Sequence, residues 1–322
     1  MSLMRRRAFV LGAAAVASCG AARAARAQQP AGGGARPVLL FLSSAPVGLF
    51  DELQRGLAAR GYADGRTIVV QRRIGQLAAA SADIAAGQVD VIVAVGPDSL
   101  RAARALTAAI PIVAYDMETD PLAEGYAASF ARPGGNVTGV FLDQPSVAGK
   151  WLQYLGQAVP RLSSLAALWD PVTPPAQLRA TQAAASELGI GLRVFALGPD
   201  LEALFSAMTA SGAQGVVLLS SPGMYGARAR LADLARRAAL PSVCMFREFA
   251  QEGGLLAYGP DFRVARRRTV DFVERVRRGQ APGEIPLERP AKFNLVLNLS
   301  TAAALGLTVP PALLAEADEV IE

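Results

Sequence analysis

The sequence predicts an α/β protein in which two parallel-sheet lobes are joined by a multi-strand hinge. Short apolar runs of strand length alternate with amphipathic segments of helix length, the pattern of parallel sheets covered by helices on both faces. Four such units precede residues 120–142 and four follow them, so the two halves are alike. The stretch between them keeps neither period until its end. There Arg132-Pro133-Gly134-Gly135-Asn136 has the composition of a tight turn, and Val137-Thr138-Gly139-Val140-Phe141 is extended and β-branched, as suits a strand leaving one half for the other.

In the first half, residues 37–42 read as a buried strand. After the loop Ser43-Ser44-Ala45-Pro46, Phe50, Leu53 and Leu57 recur at helical spacing until Gly61. Further strands are expected at 67–70, 89–95 and 110–114, with an Ala-rich helix at 77–86. Gly96-Pro97-Asp98-Ser99 closes the third strand and opens a helix, which Asp98 or Ser99 can cap. In the second half, a helix at 147–159 carries Val147, Trp151, Leu155 and Val159 on one face. Strands follow at 165–169, 192–197, 215–219 and 241–246, separated by helices, one of them capped by Asp200. Residues 255–261 look like a second crossing, leading to a helix at 262–278, and 293–298 is a late strand. The Arg263 to Arg268 run reads as a solvated helix face.

These elements divide the chain into a first lobe, 37–141 with 261–290, and a second, 142–260 with 291–322. Ahead of them, residues 1–27 resemble a twin-arginine export signal: Arg6-Arg7, a short apolar run, and Ala25-Arg26-Ala27 at a cleavage site. Val16-Ala17-Ser18-Cys19 offers a competing lipoprotein cut with an anchor at Cys19, and 28–36 read as a flexible leader.

Of the 32 Lys and Arg, five lie in the first 27 residues, which hold no acid, so the remainder has 27 against 27 acids. A neutral mature chain gives no electrostatic footprint for nucleic acid. Histidine is absent, which excludes Ser-His-Asp and Cys-His nucleophiles and His-liganded zinc. No dinucleotide, P-loop or nucleophile-elbow motif occurs either.

Several segments occur in the order seen in ABC transporter substrate-binding proteins, which the chain resembles over nearly all of its length after residue 36. They are Ala131-Arg132-Pro133-Gly134-Gly135-Asn136-Val137-Thr138-Gly139, Arg247-Glu248-Phe249 with Glu252-Gly253-Gly254, Tyr258-Gly259-Pro260-Asp261, and Lys292-Phe293-Asn294-Leu295-Val296-Leu297-Asn298 leading to Gly306-Leu307-Thr308-Val309-Pro310. The resemblance implies a type I periplasmic binding protein: two Rossmann-like lobes, a three-segment hinge, a small-molecule ligand, a permease partner in the inner membrane, no cofactor and no metal. Some relatives of this kind bind tryptophan or other aromatic amino acids.

In open parallel sheets, ligands bind at the carboxyl ends of the strands, where helix N-termini offer free N–H groups. That rule selects Ser43, Ser44, Gly96, Asp98, Ser99 and Asp116 in the first half, and Asp170, Ser220, Ser221, Tyr225, Phe246 and Arg247 in the second. Asp116 or Asp120 would hold an ammonium, Ser99, Ser220 and Ser221 a carboxylate, and Phe50, Tyr225 and Phe246 an apolar side chain. Arg247 either grips the carboxylate bidentately or pairs with Glu248 or Glu252 on the surface. Asp98 and Ser99 have the alternative of capping a helix, and Asp170 of forming a turn. The expected function is a monomeric periplasmic solute receptor. The alternatives are an exported two-domain enzyme working in the same cleft and a ligand sensor for a membrane kinase.

Overall fold

The computed structural model describes residues 36–44 and 48–322. The expected export signal, the Cys19 alternative, the leader up to residue 35, and Ala45 and Pro46 of the first loop lie outside the described residues.

Strands β1 (Val38–Ser43), β2 (Val69–Ile74), β3 (Val91–Val95), β4 (Ile112–Asp116) and β5 (Val137–Phe141) form a parallel sheet in the order β2-β1-β3-β4-β5. Helices α1 (Leu49–Ala58), α2 (Leu77–Ala85) and α3 (Pro97–Leu106) connect its first four strands. β3, β4 and β5 are buried along their whole length; β3 accordingly reads as an unbroken apolar run, while β4 ends in Asp116 and β5 carries Thr138. β2, an edge strand, begins two residues after the start of the expected 67–70 and runs on to Ile74. Its second half, Gln71-Arg72-Arg73-Ile74, carries charge that an edge tolerates, and Arg73 pairs with Asp83 of α2 at 2.9 Å.

The second sheet has the order β12-β11-β10-β9-β8-β6-β7. Its strands are β6 (Ser164–Trp169), β7 (Gly191–Ala196), β8 (Val216–Leu218), β9 (Ser242–Cys244), β10 (Leu256–Pro260), β11 (Phe293–Asn298) and β12 (Glu319–Ile321). β10 and β11 pair antiparallel; the other pairs are parallel. The remaining helices are α4 (Gln144–Ala158), α5 (Ala176–Glu187), α6 (Leu201–Ala210), α7 (Pro222–Arg237), α8 (Arg247–Gln251), α9 (Phe262–Arg277), α10 (Leu299–Ala304) and α11 (Pro311–Glu316). The sequence pattern did not predict α8, α11 or β12, each too short to display a period.

The chain passes between the sheets three times. After β5, α4 packs on the second sheet, where the buried Trp151 donates its Nε1–H to the Tyr258 carbonyl at 2.7 Å. After β10, α9 returns to pack on α1, β4 and β5. Residues 285–288 then strap β5: the Thr138 hydroxyl donates to the Ile285 carbonyl at 3.0 Å and the Phe141 N–H to the Glu288 carbonyl at 2.9 Å. Gly139 has φ 138°, and a Cβ there would overlap the Ala114 carbonyl, so only glycine lets β5 lie this close to β4.

Candidate functional site

The carboxyl ends of both sheets face one cavity of about 680 Å³, its open mouth included. Each wall is made where a strand hands over to a helix. β3 ends at Val95, and Gly96, at φ 78°, turns the chain into Pro97 at the start of α3. Proline there costs no hydrogen bond, since the first N–H of a helix has no partner within it. On the facing wall, Ser221 caps α7 by accepting the Met224 N–H at 3.0 Å, again with proline, Pro222, as the first helical residue.

The first-sheet wall contains Ser43, Gly48, Leu49, Tyr115, Met117 and Glu118, together with Phe262 and Arg266 of α9. Arg266 is half-buried, 3.4 Å from the Glu52 carboxylate of α1, with its guanidinium beside the Tyr115 hydroxyl. That charge opposes the burial that pushes the phenol up. The hydroxyl itself makes no well-formed hydrogen bond, although Tyr115 is only 8% exposed. The second-sheet wall contributes Ser221, Pro222, Tyr225, Phe246 and Glu248. Phe246 meets Tyr225 edge-on at 5.0 Å and stacks with Phe262 at 5.9 Å, so an aromatic row runs across the cleft.

A polar bond also crosses it. The Ser220 hydroxyl donates to Glu118 Oε1 at 2.6 Å, and Gln144 Nε2 donates to the Met117 carbonyl. Burial, reinforced by the neighbouring Asp116, pushes the Glu118 carboxyl up to about 8. Asp116 is pushed up by burial too, opposed by bonds from the Thr119 hydroxyl at 2.6 Å and from the Glu118 and Thr119 N–H groups at 2.9 and 3.0 Å. With three donors on Asp116 and one on Glu118, Glu118 is the member that keeps its proton near neutrality.

Of the residues expected from sequence, Ser43, Gly96, Ser221, Tyr225 and Phe246 line the cavity. Ser220 and Asp170 stand behind the second-sheet wall, with Asp170 accepting from the Ser221 hydroxyl at 2.7 Å. The others are turned to structural tasks or away from the cavity. Asp116 ties the turn after β4 through both of its oxygens, and Asp120 accepts the Leu122 and Ala123 N–H groups on Oδ1. Asp98 pairs with Arg101 at 3.0 Å, Ser99 is buried within α3, Ser44 is half-buried beyond β1, and Phe50 packs edge-on against Phe41 in the core. Arg247 is exposed and forks the Glu319 carboxylate, with its Nη2 2.9 Å from Oε1. Its acidic partner is therefore not Glu248 or Glu252 but Glu319, a residue of the unexpected strand β12.

The sequence pattern missed Tyr115, Glu118 and Arg266. Tyr115 and Glu118 follow directly on the strand expected at 110–114, at the edge that the strand-end rule selects. Arg266 lies four residues after Phe262, one helical turn along the same face, and so separates from its solvated neighbours Arg263 and Arg267. Among the described residues, no group of three or more His, Cys, Asp or Glu is arranged to hold a metal ion.

Residues 45–321 match the family model described as ABC transporter substrate binding protein. No curated protein matches the sequence. Among solved structures, a conserved domain protein from Vibrio cholerae is 22% identical with a TM-score of 0.77, covering 89% of this chain and 100% of that one. An ABC domain from Streptococcus pneumoniae solved in complex with L-Trp is 20% identical with a TM-score of 0.79 over the same shares. A substrate-binding protein with adhesive properties from Clostridium difficile, ligand-free and open, is 17% identical with a TM-score of 0.64, covering 89% of this chain and 99% of that one. At these identities the likeness establishes the fold, the two-sheet type I periplasmic binding arrangement expected from the sequence.

Proposed function

The chain belongs to the ABC transporter substrate-binding protein family, and on that footing we propose that it captures a small organic solute between two lobes and presents the closed complex to a membrane permease. The lobes are residues 37–141 with 261–290 and residues 142–260 with 291–322, hinged at the three chain crossings. The observation that carries this is a cavity walled by both sheets and bridged by the Ser220–Glu118 bond. Such a bond forms only when the walls meet, and a solute touching both walls adds its differential affinity to the closed state.

The neighbour solved with L-Trp supports a solute of amino-acid size. Residues 1–27 direct export, which puts the protein in the periplasm; it works there as a monomer and returns its solute unchanged. No helix among the described residues is long and apolar enough to cross a membrane. Mass spectrometry of the small molecule that co-purifies with the protein tests this directly. A compound recovered intact after prolonged incubation is expected; one converted to product would make the protein an enzyme.

A further inference from the structure

The walls of the cavity point to one ligand chemistry. Arg266 is the one cation among the described residues lining it, and its contact with Glu52 on α1 fixes where the guanidinium lies. The cap residues of three helices of ten or more residues also line it: Gly48 for α1, Gly96 for α3 and Ser221 for α7. Each directs the positive end of its dipole at the cavity, favouring an anion. A separate sign is the Tyr115 hydroxyl, more than nine-tenths buried on the wall, beside Arg266 and without a well-formed bond. Buried polar groups are rarely left so, and an acceptor placed between it and Arg266 would satisfy it.

No ionised acid on the first-sheet wall is offered to a cation. Glu118 is bonded across the cleft to Ser220 and retains its proton, and Asp116 is spent on its turn. The remaining acid of the cavity, Glu248, is half-exposed in the first turn of α8 on the opposite wall. The rest of the surface is aromatic, in the row Tyr225, Phe246 and Phe262.

We propose that the cavity takes an aromatic carboxylic acid, with its carboxylate between Arg266 and the Tyr115 hydroxyl, its ring against Phe262, Phe246 and Tyr225, and no ammonium group required. The carboxylate suits the guanidinium fork, and the ring prefers stacked or edge-on aromatic partners. This ligand class presupposes the capture proposed above, and the two fail separately. An amine bound as tightly as the matching acid overturns the ligand chemistry and leaves capture intact, whereas a bound compound that is chemically converted overturns capture.

The test is calorimetry of the full chain at neutral pH with three indoles: indole-3-propionate, L-tryptophan and tryptamine. Indole-3-propionate is expected to bind tightest, L-tryptophan more weakly and tryptamine not at all. Arg266→Gln should weaken indole-3-propionate roughly tenfold to a hundredfold, the range for a lost hydrogen bond to a charged group. Tyr115→Phe removes only a hydroxyl and should weaken it roughly twofold to tenfold, which keeps the proposal testable if Glu52, left without Arg266, unsettles the first variant. Indole-3-propionate failing to bind, either amine binding as tightly as it does, or parental affinity in a folded variant overturns the proposal.

Discussion

The first-sheet wall of the cleft brings Tyr115, Glu118 and Arg266 together, with Arg266 held by Glu52 on its own side and Glu118 by Ser220 across the gap. The second-sheet wall offers Phe246 and Tyr225, and its two serines are already engaged, Ser221 with α7 and Asp170, Ser220 with Glu118. Directional groups give selectivity only if they are held in place before the ligand arrives, because ordering them on binding costs affinity. Apolar surface has no such requirement, since its stabilisation scales with the area removed from water. On the function proposed above, the first wall would select the solute and the second would cover it.

The largest expected effect strikes the covering wall. Phe246→Ala removes a ring that packs with Tyr225 and Phe262 and is only 7% exposed, at a cost of about 3–5 kcal/mol in unfolding free energy by urea denaturation. A loss under about 1 kcal/mol would mean that this wall is not part of a packed core.

Ser220→Ala probes the joint between the walls. It leaves Glu118 facing a methyl group and should cost the closed form about 1–3 kcal/mol, seen as roughly fivefold to a hundredfold weaker binding of indole-3-propionate. Unchanged affinity would separate closure from this bond.

Acidity sharpens the same contrast, because the titrating pair belongs to the selecting wall. Glu118 lies at about 8, above its ordinary 4.5, so the folded form binds more protons between those values. Its contribution to stability is complete below about 4.5 and is lost as pH rises through about 8. Between about pH 6 and 8, unfolding free energy should fall by roughly 1 to 2 kcal/mol, with the loss shared with Asp116, and Glu118→Gln should flatten the slope. An equally steep profile in that variant would assign the slope to other groups.

The smallest effect is expected where the sequence had suggested the strongest anchor. Arg247→Ala removes an exposed pair with Glu319, worth less than about 1 kcal/mol, and should leave indole-3-propionate affinity within about twofold. A tenfold loss would bring Arg247 back to the ligand.

The contrast between the two arginines marks how far the sequence was legible. The apolar runs that became β1, β3, β4 and β6 were readable because strands buried on both faces leave no alternative for their side chains. The strand-end rule then led to Ser43, Gly96, Ser221, Tyr225 and Phe246. It does not say where a side chain turns. Arg247 follows β9 at the right edge, yet its fork is taken by Glu319 on a three-residue strand too short to leave a pattern. Arg266 enters the site because α9 returns to the first sheet after the second crossing, a tertiary fact that no local spacing contains. Asp116 and Asp120 were chosen for their charge, but one oxygen of each accepts nearby backbone N–H groups, and the other oxygen of Asp116 accepts the Thr119 hydroxyl.

Closure of the two walls around a solute is the central claim, and small-angle X-ray scattering of the protein with and without saturating indole-3-propionate tests it most directly. The account predicts a smaller radius of gyration in the bound form, with Ser220→Ala needing more ligand to reach it. A radius that stays the same while calorimetry reports full occupancy would contradict it.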